Sequence, residues 1–134
     1  MRMFPHILNG SRELKNIYSK RHNRLVDLIH EKIKPTPNVT IIKDGVLIPS
    51  VFQNTNYNSF VTAHRRPDIT IIDRETGEVK LIEIAVPFDI HIQETYQAKF
   101  DKYFPLCLEI NQLGFNTKVI VLIIGSLGYV HSKL

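Results

Sequence analysis

Two runs decide the fold: residues 66–73, RPDITIID, and, after a short turn, residues 79–89, VKLIEIAVPFD. Both are rich in β-branched residues and read as strands. Each carries an acid where an apolar residue is expected: Asp68 opens the first run and Glu83 sits in the middle of the second, with fourteen residues between them. Thr76-Gly77 supplies the turn, so the two strands are predicted to pair antiparallel. Burying a carboxylate without a partner costs several kcal/mol. Something must offset that cost, and a divalent metal is the most productive candidate.

Upstream, Val39–Lys43 reads as a strand and Asp44-Gly45 as a turn. Val46–Phe52 reads as a second strand interrupted by Pro49, and the pair is expected to form a hairpin. Residues 53–59 are polar and predicted to loop, and Phe60–Ala63 is expected to add a short strand. Before these, Ser11–Lys34 is predicted to be a long helix capped by Ser11, with Leu14, Tyr18, Leu25, Ile29 and Ile33 at helical spacing. Pro35 and Pro37 end it. His22 falls at the edge of that apolar arc and Arg21 within it; Lys20, Arg24 and Glu31 lie outside. His22 suits either contact with a substrate phosphate or a satisfied place in the helix–sheet interface.

Downstream, Pro87 ends the Glu83 strand and Asp89 is placed to cap the next helix. From Ile92, the residues Ile92, Tyr96, Tyr103, Ile110 and Leu113 share one side at helical period. Pro105 is expected to bend or split this helix and Gly114 to end it. Thr117–Ile124 is a continuous apolar run, read as a strand covered on both faces. The tail, residues 125–134, carries little signal.

The 134 residues suit one domain spanning 1–134, with a core of two or three layers. No apolar run approaches the roughly 18 residues of a membrane span, and residues 1–11 lack the pattern of a signal peptide. One cysteine, Cys107, leaves no internal disulfide and no multi-cysteine zinc site. An intracellular protein is expected. Residues 1–34 hold eight Lys/Arg against three Asp/Glu, whereas the rest hold nine against ten. A basic N-terminal element on a near-neutral body suits a polyanionic partner, or is simply a solvated helix face.

On the helix from Ile92, Lys99 lands near the centre of the apolar arc between Tyr96 and Tyr103, and Lys102 at its margin. Lysine is seldom buried unless paired. Asp68, Glu83 and Lys99 therefore occupy costly positions that offset one another if they meet. Such a set fits metal-assisted phosphodiester hydrolysis, with Mg²⁺ or Mn²⁺ on the carboxylates and an ammonium beside the phosphate. It also fits a Glu83–Lys99 ion pair that only joins helix to sheet.

The ordered set RPD (66–68), E-x-A-x-P-F-D (83–89) and K-x-x-K-Y (99–103) resembles the restriction-enzyme-like endonuclease domain of site-specific non-LTR retrotransposons, within the PD-(D/E)xK nuclease superfamily. The resemblance covers most of the chain. His6-Ile7-Leu8 resembles the end of the zinc knuckle that precedes the nuclease, Arg21-His22-Asn23 the R-H-N/D signature, and residues 123–128 the closing strand and glycine turn. It implies an α/β fold with a restriction-endonuclease-like core: a mixed β-sheet flanked by the N-terminal helix and by a second helix after the catalytic strands.

By the same resemblance Asp68 and Glu83 ligate the metal, the Ile84 carbonyl joins them, and Asp89 is a possible third acid. The superfamily's lysine two residues after the glutamate is replaced by Ala85; in this branch the following helix supplies it, matching Lys99 and Lys102. Ser11 stands at the knuckle's last cysteine position and the earlier cysteines are absent, so residues 1–11 read as a remnant that binds no zinc. The implied activity is metal-dependent cutting or nicking of double-stranded DNA, in the nucleus. Lys20, Arg21, Arg24, Arg65 and Arg66 are candidates for phosphate contact, and a reverse transcriptase or other element-encoded protein is a candidate partner. The alternatives are an inactive nucleic-acid-binding module of the same fold and a junction-resolvase-like nuclease.

Overall fold

The computed structural model describes residues 3–53, 59–86, 91–124 and 130–133; side chains of residues 3–15, Tyr18 and 130–133 are outside that description. A long helix α1 (Met3–Lys32) leads into strand β1 (Val39–Lys43) and a 3₁₀ turn (Pro49–Phe52). Strands β2 (Ile69–Asp73) and β3 (Glu78–Ala85) follow, then helix α2 (Ile92–Asn111) and strands β4 (Asn116–Ile124) and β5 (Val130–Lys133). The strands form one mixed sheet in the order β1-β2-β3-β4-β5. All neighbours are antiparallel except β3 and β4, which run parallel and are joined by the α2 crossover that such a pair requires.

Strand alternation divides the sheet into two apolar faces. Ile69, Ile82 and Ile84, with Ile41, Ile71, Ile120 and Leu122, face α1 and pack on its Val26, Leu25, Ile29 and Ile33. The opposite face presents Ile72, Val79 and Leu81 to Tyr103, Leu106, Cys107 and Ile110 of α2. Beside them Ala85, Val121 and Ile123 meet Ile92, Tyr96 and Phe100. A helix on each side of one sheet is the α/β arrangement expected from the alternation of patterns. Among the described residues no helix is long and apolar enough to cross a membrane.

Four local expectations are corrected. The hairpin of Val39–Lys43 with Val46–Phe52 does not form: β1 pairs with β2 instead, Ile41 against Ile71. Pro49 has no N–H for a ladder and starts the 3₁₀ turn, which drops Phe52 into the core while Val46 and Ile48 stay exposed. Residues 60–63 are not a strand, because the carboxylate of Glu109 on α2 accepts the N–H groups of Val61 (2.7 Å) and Thr62 (3.1 Å). The first helix begins at Met3, which removes Ser11 as its cap. Helix α2 runs as one element through the exposed Pro105 rather than splitting there, and His91 stands at its N-cap position; Asp89 lies outside the described residues. Gly114, at φ +99°, does turn the chain after α2 and into β4, as its freedom from a Cβ allows.

Candidate functional site

The antiparallel ladder of β2 and β3 ends at the pair Ile69–Ile82. One step further in the same register Asp68 stands opposite Glu83, so both side chains leave the same face of the sheet. Buried Pro67 stops the ladder by having no N–H to give the Ile84 carbonyl opposite it. Side-chain oxygens take over the freed backbone donors: the Asp68 N–H donates to Glu83 Oε2 (3.2 Å) and the Ile84 N–H to Asp68 Oδ2 (2.7 Å). The two acids are thereby locked beside one another at the open end of the strands.

Each is met from a different layer. From α2, Lys99 Nζ donates to Glu83 Oε1 at 3.3 Å. From α1, on the other face, His22 Nε2 lies 3.0 Å from Asp68 Oδ2, while its Nδ1 lies 3.2 Å from Asn23 Oδ1. Tyr103 Oη donates to the Arg66 carbonyl at 2.8 Å and ties α2 to the residues that lead into Asp68. The Glu83 side chain is only 6% exposed, against 32% for Lys99, so the acid is sequestered and its cation reaches solvent.

Electrostatics follow from this packing. Burial, and then the neighbouring Asp68, push the Glu83 carboxyl above its usual range; Lys99 and the Asp68 N–H act against that rise. The hydrogen bond to Asp68 raises the His22 imidazole above its usual range despite partial burial. The Tyr103 phenol is pushed up by burial and then by Glu83 and Asp68, and stays protonated.

Among the described residues no three His, Cys, Asp or Glu side chains form a metal-holding group. The donors the structure brings together are the two carboxylates. Their chemistry suits a hard cation that keeps several waters, as Mg²⁺ does. The Glu83 carboxyl is held above its usual range first by burial and then by Asp68 beside it, and a cation between the two carboxylates would offset that cost. Asp89 lies outside the described residues.

Of the two candidate lysines, Lys99 reaches the acids; Lys102 instead places its ammonium 5.1 Å from the centre of the Tyr103 ring. Lys20 and Arg24 are exposed on α1 and Arg21 is half-buried. Arg66 is exposed with its Nε 3.7 Å from Asp44 Oδ1, whereas Arg65 is half-buried with its Nε enclosed and unbonded. A cleft of about 260 Å³ opens on Asp68, lined also by His22, Asn23, Asp27, Lys43 and Asp44.

His22 is the residue that helix spacing alone left undecided between the two roles. The packed face of α1 centres on Val26, beside the arc that spacing alone predicts, and this brings His22 over the sheet end. The signal was present, since His22 falls three, four, seven and eleven residues before Leu25, Val26, Ile29 and Ile33.

Comparison of this chain with protein-family models, with curated proteins and with solved structures finds no match in any of the three.

Proposed function

We propose that this chain is a metal-dependent endonuclease of restriction-endonuclease-like fold, derived from a retrotransposon, that cuts or nicks phosphodiester bonds of duplex DNA. One observation carries the reading: Asp68 and Glu83, far apart in sequence, sit beside one another at the strand ends with the Lys99 ammonium on Glu83. Asp68, Glu83 and the Ile84 carbonyl would hold Mg²⁺ or Mn²⁺, which would supply charge neutralisation at the phosphate and a water of lowered pKa. Lys99 fixes the Glu83 carboxylate and holds a positive charge where the pentacovalent phosphate would develop negative charge. His22 fixes Asp68 from the opposite face, and the hydrogen bond to Asp68 holds its imidazole above the usual range. Lys20, Arg21 and Arg24 on α1, with Arg66 at the mouth of β2, are the basic groups available for the DNA backbone. A nuclear location follows from such a substrate.

The test is relaxation of supercoiled plasmid in Mg²⁺ or Mn²⁺ by the intact protein, Asp68→Ala and Lys99→Ala. The intact protein nicks, and each variant loses about 100-fold or more. Cleavage that persists in Asp68→Ala overturns the assignment. The second reading is an inactive DNA-binding module of the same fold, which the basic groups of α1 would serve without catalysis. It prevails if the intact protein retains plasmid without cutting it.

A further inference from the structure

Two lysines one turn apart on α2 are held in different ways. Lys99 donates to Glu83, whereas Lys102 places its ammonium 5.1 Å from the centre of the Tyr103 ring. An aromatic face attracts a cation through its quadrupole and leaves the charge whole, which a carboxylate partner would not. Among the described residues no hydrogen bond or ion pair reaches Lys102, and the neighbouring acid, Asp101, accepts from Gln97 instead at 2.8 Å.

The ring that seats this ammonium is itself fixed. Tyr103 is buried, and its hydroxyl donates to the Arg66 carbonyl at 2.8 Å, two residues before Asp68. One side chain therefore joins Lys102 to the segment that carries the exposed Arg66. The Arg66 guanidinium meets Asp44 only at 3.7 Å, with the two side chains 61% and 71% exposed, a contact worth little in water. Two cations thus stay open to an anion on the α2 flank of the acids, whereas Lys20, Arg21 and Arg24 belong to α1 on the other flank. Spacing adds to this. Residues i and i+3 of a helix stand about 5–6 Å apart at Cβ, and a DNA strand carries one phosphate for each rise of about 3.4 Å. With Lys99 at the phosphate to be cut, Lys102 is within reach of its neighbour on the same strand.

We propose that Lys102 is a DNA-phosphate contact that grips, with Arg66, the backbone beside the scissile phosphate from the α2 flank. The second lysine of the K-x-x-K-Y run then positions the substrate rather than acting at the cut bond, and Tyr103 sets the place of both cations. This contact rests on the duplex-cutting reading of Asp68 and Glu83.

The experiment is fluorescence anisotropy of a fluorescein-labelled duplex with the intact protein in EDTA, over a series of salt concentrations. Lys102→Gln is expected to flatten the plot of log K against log salt by about 0.9, the share of one duplex phosphate, and Lys102→Arg to keep the parent slope. Lys118→Gln makes the same charge change on the other face of the sheet, opposite Lys80 and three residues from the partner of Glu83, and leaves the slope as it was. In Mg²⁺, Lys102→Gln raises KM for plasmid more than it lowers kcat. An unchanged slope in Lys102→Gln overturns the proposal, as does an equal fall in Lys118→Gln, which would make the effect one of net charge. A loss of kcat at unchanged KM overturns it in favour of a lysine that acts at the cut bond. Intact protein that does not bind the duplex overturns it as well. Because binding is read without metal, plasmid left uncut counts against the nuclease reading and not against this contact.

Discussion

Replacing Glu83 by Gln separates a functional acid from a structural ion pair, because the two accounts demand opposite signs. The Glu83 side chain is 6% exposed, and its carboxyl is pushed up by burial and by Asp68 even with Lys99 at 3.3 Å. A group whose folded pKa lies above its unfolded value binds its proton more tightly in the native state. Its contribution to stability is fully present below the usual carboxylate range and is lost as pH rises through the folded pKa. Above that folded pKa the ionised Glu83 therefore opposes folding. Gln keeps an oxygen for the Asp68 N–H, and Lys99, about one-third exposed, can turn to water. Glu83→Gln is expected to stabilise by about 1 kcal/mol at pH 7, within the gain seen when a site strained for activity is relieved. For a chain of this length that is about 4 °C in Tm. Near pH 4 the gain disappears, and Mg²⁺ raises the Tm of the intact protein but not of Glu83→Gln. Thermal unfolding followed by circular dichroism from pH 4 to 8, with and without Mg²⁺, reads all three. A Glu83→Gln protein that is less stable at pH 7, by as much as Lys99→Ala is, would refute the argument and leave a pair that only joins α2 to the sheet.

Two further outcomes follow from the same geometry. His22 holds Asp68 across 3.0 Å and its pKa is raised, so its contribution is fully present below the usual imidazole range and is lost as pH rises through the folded value. Urea unfolding of His22→Ala should show a deficit of about 1 kcal/mol at pH 6 that shrinks toward pH 8, a modest figure because the ring is partly exposed. Glu109→Ala removes the acceptor of the Val61 and Thr62 N–H groups and should cost about 1–2 kcal/mol. Limited proteolysis should then cut near Val61, which is 87% exposed, while protection there equal to the parent's would show that other contacts hold the segment.

Much of the fold was legible because period and burial coincide. The isoleucine-rich runs at 69–73 and 78–85 alternate toward two faces, and each face has a helix to cover it. The failures occur where local pattern and long-range pairing compete. Val46–Phe52 has the composition of a strand, but Pro49 cannot donate to a ladder, and β2 offered β1 a complete register instead. Phe60–Ala63 lost to a single carboxylate, Glu109, from a helix more than forty residues away. The reach of Lys99 was readable from its helical angle, and so was the marginal place of Lys102.

The inventory was legible in the chain: two acids on neighbouring strands, an inward lysine on the following helix, and an α/β order of elements. These depend on spacing along one element, which the chain states directly. The folded chain was needed to show that Asp68 and Glu83 face one another one step past the ladder, that Pro67 ends that ladder, and that His22 crosses from the other layer to hold Asp68. The physical reason is common to all of them: strand register and the stacking of layers are set by pairings between residues distant in sequence, and no local period encodes them.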